Sequence, residues 1–224
     1  MLITGTNVSL SVFLSSLGEG ISIYGGMPDT SFAEEVLRRQ CHIFDYTKDE
    51  IFQLRNALPT AEGAIAIAMS ESRRTLRGSQ TLVIGYGRIG KLLGDLLRNM
   101  GASVTIAARK STDRALAQLH GCQTIPIYEN PSGSKLLLSQ RYHIIFNTVP
   151  VLLIDEKLLQ KIPDDTILID LASAPGGIDY DAANRLGKKT VVALSLPGKV
   201  APITAGEIIG DLILTDLEKG REAL

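Results

Sequence analysis

The stretch Thr81-Leu82-Val83-Ile84-Gly85-Tyr86-Gly87-Arg88-Ile89-Gly90 decides how this chain is read. Leu82-Val83-Ile84 is apolar at consecutive positions, as expected of a strand whose two faces are both covered by helices. A G-x-G-x-x-G pattern alone is weak. Here it follows an apolar strand, opens a helix over 88–100, and is followed by a second strand at Ser103–Ala108. That context is the one a dinucleotide-binding turn requires. Gly85 permits the tight turn, Gly87 lets the backbone approach a pyrophosphate, and Gly90 lets helix and strand pack closely. The phosphates would then sit at the positive end of the helix dipole. Tyr86, Arg88 and Ile89 occupy the remaining positions of the turn and belong to the same candidate site. The bland alternative is a glycine-rich turn without a ligand.

The end of the second strand selects the cofactor. NAD enzymes usually place Asp or Glu about 20 residues past the glycines, on the ribose 2′-hydroxyl. Here Arg109 holds that position, followed by Lys110, and no carboxylate occurs until Asp113. A guanidinium suits a 2′-phosphate through charge-assisted contacts, which predicts NADP; the alternative is a solvated strand end. Two further strand ends, Asn147-Thr148-Val149-Pro150 and Asp170-Leu171-Ala172-Ser173, should line the same cleft, because open α/β sheets bind ligands beyond the carboxyl ends of their strands. A third segment, Leu196 to Gly206, reads as a rigid loop that can offer N–H groups to a carboxylate. For all three the alternative is that Pro and Gly merely shape turns.

Outward from this centre, strands at 144–147, 167–170 and 191–194 alternate with helices at 111–120, 155–161, 179–186 and 204–219; 122–127 is a weaker strand. The alternation predicts an α/β fold with a doubly wound parallel sheet, a Rossmann NAD(P)-binding domain, preceded by a small, incomplete α/β domain. Thr204-x-x-Glu207 reads as a capping box at the start of the last helix. In the first part, strands at 21–24 and 41–46 flank a helix at 30–40. Two strands make a poor sheet, so a partner or further chain must complete it, and its edge offers a route to a homo-oligomer. A helix from Pro59 to Arg74 joins the parts. The expected organisation is 1–58 as a partial N-terminal domain, 59–77 as a linking helix, 78–203 as the Rossmann domain and 204–224 as a C-terminal helix.

Composition narrows the classes. With 23 Lys+Arg, 24 Asp+Glu and a net charge of -1, the chain lacks the basic excess of a nucleic-acid or membrane-surface binder. At 45% hydrophobic and 21% charged residues it is an ordinary globular sequence. Its apolar runs are too short to span a bilayer. No signal peptide is evident, and Cys41 and Cys122 lack metal-site spacing, so a reducing cytoplasmic setting without a metal is expected.

Six segments together resemble one family: PTAEG at 59–63, VIGYGRIGK at 83–91, AAR at 107–109, NTVP at 147–150, DLASAPGGIDY at 170–180 and LPGKVAPITAG at 196–206. In order and spacing they are similar to the A subunits of dipicolinate synthases from spore-forming bacteria. The last two segments carry most of the specificity. The resemblance implies an NADP-dependent oxidoreductase of the mother-cell cytoplasm. It would oxidise dihydrodipicolinate, or its hydroxylated tetrahydro precursor, to dipicolinate during sporulation. It also implies a heteromeric complex with the flavoprotein-like B subunit of dipicolinate synthase. Members of that family begin with a longer N-terminal domain, and the likeness here starts part-way through it. A fragment, a mis-set start or a degenerate paralogue are the alternatives.

Oxidation of a dihydropyridine needs the C–H positioned against the nicotinamide and a proton removed. A dicarboxylate substrate needs donors, and Thr60, Ser173, Gly198 and Lys199 are the candidates, with Pro197, which has no N–H to give, beside them in the substrate site. Glu62 is the candidate base, with Ser173 a second catalytic candidate; an ordinary first-turn glutamate is the alternative for Glu62. His42, His120 and His143 sit in no motif, which leaves a His base of the hydroxyacid-dehydrogenase type unsupported. The competing readings are a generic NAD(P)-dependent dehydrogenase of the 2-hydroxyacid or shikimate type, and a non-catalytic NADP-binding scaffold for a partner protein.

Overall fold

The computed structural model describes residues 9–130 and 133–222. It divides into two compact units, Met1–Arg55 with Gly206–Leu224, and Asn56–Ala205.

In the larger unit the seven-stranded sheet contains β3 (Gln80–Ile84), β4 (Ser103–Ala108), β5 (Gln123–Asn130), β6 (Gly133–Leu136), β7 (Ile144–Asn147), β8 (Ile167–Asp170) and β9 (Lys189–Val192). The order across the sheet is β6-β5-β4-β3-β7-β8-β9. All neighbours are parallel except β5 and β6, which pair antiparallel. Leaving β6 aside, the chain reverses direction of travel between β4 and β7 across β3, the switch point where doubly wound sheets bind ligands. The sheet is therefore the expected doubly wound one with an antiparallel edge strand added.

Every residue of β7 and β8 is buried, and so is β3 after Gln80. Their Ile, Leu, Val and Phe side chains alternate between two cores. On one face Val83, Ile106, Phe146 and Ile169 meet α3 (Glu50–Glu71), α4 (Arg88–Asn99) and α5 (Ser111–Leu119). On the other, Leu82, Ile84, Ile145 and Leu168 meet α6 (Glu156–Leu159) and α7 (Tyr180–Arg185). β9, at one edge, is only partly buried.

The smaller unit holds α1 (Leu10–Ser15), β1 (Ser22–Gly25), α2 (Thr30–Arg38) and β2 (His42–Asp45), with a short 3-10 turn at Tyr46–Lys48. β1 and β2 form a two-stranded parallel sheet with Ser22 opposite His42. Leu14, Val36 and Cys41 make its small core, with Phe13, Phe32 and Ile23 packed against it. Asp29 caps α2 by accepting from the Phe32 N–H at 2.8 Å.

Several sequence expectations shift. The joining helix begins at Glu50 rather than Pro59, because Asp49 accepts from the Phe52 N–H at 2.8 Å and so starts it. Pro59 lies inside it, buried, with no N–H to give the Arg55 carbonyl. The division between the units falls at that carbonyl. The segment after Leu194 is not a loop: α8 (Leu196–Val200) is followed almost at once by α9 (Pro202–Glu222). Proline at the first position starts α9, so Thr204 and Glu207 lie within it and form no capping box.

Candidate functional site

The cleft at the switch point measures about 600 Å³ and is lined by Gly85, Tyr86, Gly87, Lys91, Ala108, Arg109, Lys110, Asp113, Ile127, Thr148, Val149, Pro150, Val151 and Leu153. The strand β3 delivers the chain to Gly85, whose φ of +99° is open to glycine alone at no cost. A Cβ there would overlap the Thr148 hydroxyl, which donates to the Ile84 carbonyl at 2.9 Å. The turn and the β7 end are thus fitted to each other. Gly87 precedes α4, which has no side-chain cap, so a ligand can satisfy the amide end of that helix. A Cβ on Gly87 would meet nothing within 4 Å and would project into open space. A Cβ on Gly90 would overlap the Gly85 carbonyl oxygen. These three absences of a side chain match the needs of a bound pyrophosphate.

The cleft is electropositive. Lys91, Arg109 and Lys110 line it against the single carboxylate of Asp113. The Lys91 ammonium also stands 5.8 Å from the Tyr86 ring centre. Tyr86 itself is 5% exposed. Its hydroxyl meets His120 Nδ1 at 3.0 Å, and burial pushes its phenol pKa up. Its ring is a wall of the turn, with its polar end turned toward α5. Arg114 braces the β4 end: Nη1 donates to the carbonyls of Ala108 at 2.8 Å and Arg109 at 2.7 Å.

Asn147 and Asp170, expected to touch the cofactor, are both fully buried. Their polar atoms are spent on the protein. Asp170 Oδ1 accepts from Asn147 Nδ2 at 2.8 Å and the Ala172 N–H at 3.0 Å. Asp170 Oδ2 accepts from the Gly177 N–H at 2.9 Å and the Tyr180 hydroxyl at 2.6 Å. Burial, then this bond to Asp170, raises the Tyr180 phenol pKa strongly. Asn147 Nδ2 also donates to the Val149 carbonyl at 2.9 Å. The pair therefore ties the loop after β8 to the loop after β7 instead of reaching into the cleft. Leu171 and Ala172 are buried as well.

The structure thus gathers Gly85, Tyr86, Gly87, Arg109, Lys110, Thr148, Val149 and Pro150 round one cleft. Arg88 is exposed and Ile89 half-buried on the first turn of α4. The lining does not include Thr60, Glu62, Ser173, Pro197, Gly198 or Lys199. Thr60 donates to the Asn56 carbonyl of its own helix at 2.8 Å. Glu62, Ser173, Gly198 and Lys199 are exposed, Pro197 partly so, and Lys199 Nζ donates to the Leu194 carbonyl at 2.9 Å. Lys91, Asp113, Arg114 and Tyr180 are not among the sequence-predicted site residues, although Asp113 stands out there as the first carboxylate after Arg109. Lys91 was visible as the residue after the third glycine; the others depend on which way a helix start faces.

The family described as "D-isomer specific 2-hydroxyacid dehydrogenase, NAD binding domain" matches residues 59–183, which contain this cleft. The chain belongs to that family. It is a nicotinamide-cofactor-binding domain of the dehydrogenase type, and the cleft fits that group. Among curated proteins it is similar to the A subunit of dipicolinate synthase from Bacillus subtilis, 32% identical over 183 residues. That alignment covers 82% of this chain and 59% of the relative. The chain therefore spans about three fifths of the length of that relative. Among solved structures it is similar to the A subunit of dipicolinate synthase from Bacillus halodurans, with a TM-score of 0.79 and 30% identity. That match covers 88% of this chain and 66% of the other. The corresponding Bacillus subtilis structure gives a TM-score of 0.82 at 27% identity, covering 91% and 66%. The family resemblance read from the six segments is borne out. Among the described residues, no helix is long and apolar enough to cross a membrane, and no group of His, Cys, Asp or Glu is placed to hold a metal ion.

Proposed function

We propose that this chain is the cofactor-binding part of a dipicolinate synthase A subunit. In this reading it takes part in the NADP-dependent oxidation of dihydrodipicolinate, or its hydroxylated tetrahydro precursor, to dipicolinate in the mother cell of a sporulating bacterium. One observation carries the proposal: over 82% of its length the chain is 32% identical to such a protein. The choice of NADP rests on Arg109 and Lys110, which line the cleft where an NAD site would carry a carboxylate. Arg114, holding the carbonyls on either side of the Ala108–Arg109 bond, would keep that basic turn in place.

When bound, the cofactor would supply the hydride acceptor. The chain's own tasks are then orientation and proton removal. The amide end of α4, with Lys91 beside it, would hold the pyrophosphate. The loop tied down by Asn147 and Asp170 would wall the nicotinamide side. Glu62 would take the substrate proton, and Ser173, Gly198 and Lys199 would receive a dicarboxylate, with Pro197 shaping the turn beside them and Thr60 joining only by releasing the Asn56 carbonyl. The flavoprotein-like B subunit would complete the complex.

The test is a reconstituted synthesis. Pyruvate and aspartate semialdehyde are condensed by dihydrodipicolinate synthase. This protein is then added with NADP or NAD, with and without the flavoprotein-like partner. Dipicolinate, identified by pyridine absorbance and mass, should form only when the chain is present and faster with NADP. Cofactor binding without dipicolinate in any mixture would overturn the enzymatic reading and leave a cofactor-binding scaffold.

A further inference from the structure

The two faces of the larger unit's sheet are covered unequally. One carries α3, α4 and α5, while the helices of the other are α6, of 4 residues, and α7, of 6. Parallel strands are normally joined by a helix that packs back on the sheet. The connection from β5 to β7 instead carries β6 and, among its described residues, no helix. Where a crossover helix would lie, a groove of about 690 Å³ opens between the β6–β7 connection and α6. Leu137 and Leu152 line it and are 46% and 53% exposed.

The rim of this groove is basic. Lys135, Arg141, Lys157 and Lys161 line it, all exposed, against Asp155 alone. Among the described residues none of the four has an ion-pair partner, while the Asp155 carboxylate caps α6 by accepting from the Leu158 N–H at 2.8 Å. A slot with exposed leucines and unpaired cations calls for an amphipathic helix whose polar residues are acidic.

This chain owns such a helix. Positions 203, 207, 211, 214 and 218 of α9 follow helical spacing and lie on one face. They are Ile203, Glu207, Asp211, Leu214 and Glu218, and all are exposed. Ile203 is 78% and Leu214 60% exposed. Of the three carboxylates, Asp211 meets Arg55 at 2.8 Å, and that pair is itself on the surface.

We propose that the basic groove beside α6 is a self-association site, and that it receives the acidic, apolar outer face of α9 from a second copy of this chain. The groove adjoins the cofactor cleft through Leu153, which lines both, but its basic residues lie outside that cleft and the inference does not depend on the substrate proposed above. Self-association of this kind weakens as salt screens the rim.

The test is charge exchange on the full chain, followed by sedimentation velocity and light scattering at low and high salt. The unaltered protein should associate, and less so at high salt. The double variants Lys157→Glu with Lys161→Glu, and Glu207→Lys with Glu218→Lys, should each weaken association at least roughly tenfold. The quadruple variant, or an equimolar mixture of the two doubles, should recover it. Circular dichroism and thermal midpoints of each variant confirm that it is folded, and Leu152→Asp provides an independent disruption of the groove. A monomer at every concentration would overturn the proposal. So would association that ignores both reversals, or that is lost in each double without recovery on combination.

Discussion

Replacing Asp170 with Asn keeps the shape of the side chain and changes one oxygen to an NH2 group. In the protein that carboxylate is fully buried and accepts four hydrogen bonds, two on each oxygen. The amide can be placed two ways. On the Oδ1 side it would face the Ala172 N–H and the NH2 of Asn147, and Asn147 is itself fixed by Val149. On the Oδ2 side it would face the Gly177 N–H, while the Tyr180 hydroxyl can turn and accept. The second placement is the cheaper. It strands one buried backbone N–H, at about 1–3 kcal/mol, and turns the remaining charged hydrogen bonds into neutral ones, at roughly 0.5–1.5 kcal/mol each. Against this stands relief from burying a charge. We expect a net loss of about 3 kcal/mol. For a chain of this size that corresponds to a fall in Tm of roughly 6–12 °C. Urea unfolding followed by far-UV circular dichroism measures the first quantity and a thermal scan the second. A loss below about 1 kcal/mol would refute the argument, since it would mean that the four bonds only repay the cost of burying the carboxylate.

Gly90→Ala places a Cβ over the Gly85 carbonyl oxygen and 2.9 Å from its carbonyl carbon, two backbone atoms that cannot yield separately. We expect at least a roughly hundredfold loss in nicotinamide-cofactor affinity by calorimetry, because α4 must withdraw from the turn it caps. Arg114→Gln removes the guanidinium that holds the Ala108 and Arg109 carbonyls. If Arg109 reads a 2′-phosphate, the ratio of NADP to NAD affinity should fall several-fold; equal weakening of both cofactors would leave Arg114 a purely structural brace. Tyr180→Phe should cost about 1.5–3 kcal/mol near neutral pH, the value of a hydrogen bond to a charged acceptor. The Tyr180 phenol pKa is raised in the folded state. Its contribution is therefore complete below the unfolded value near 10 and declines at higher pH, at about 1.4 kcal/mol per unit. The gap between the two proteins should accordingly narrow between about pH 8 and pH 11, measured by urea unfolding; a gap that widens would contradict the assignment.

What could be read in the sequence was what local chemistry determines. The turn at Gly85–Gly90 is specified within ten residues, because a strand, a positive-φ glycine and an uncapped helix start are each local demands, and Arg109 follows at a spacing set by one helix. The misreadings share a different cause. Pro59 looked like a helix start because proline favours the first turn, yet Asp49 supplies the stronger local signal and the burial of Pro59 among small residues keeps the helix going. Thr204 and Glu207 fit a capping box, but Pro202 begins the helix two residues earlier. β6 was invisible because its four residues become a strand only through pairing with β5. Asp170 is the most instructive case. A carboxylate at the carboxyl end of a central strand can face the cleft or the interior, and nothing in the strand itself decides which. Tyr180 and Gly177 decide it, by donating from the far end of the loop, and Asn147 does so from the neighbouring strand. The same residue thus moves from ligand contact to the hidden tie that holds two cleft-forming loops, and the motif DLASAPGGIDY is explained at both of its ends by one buried carboxylate.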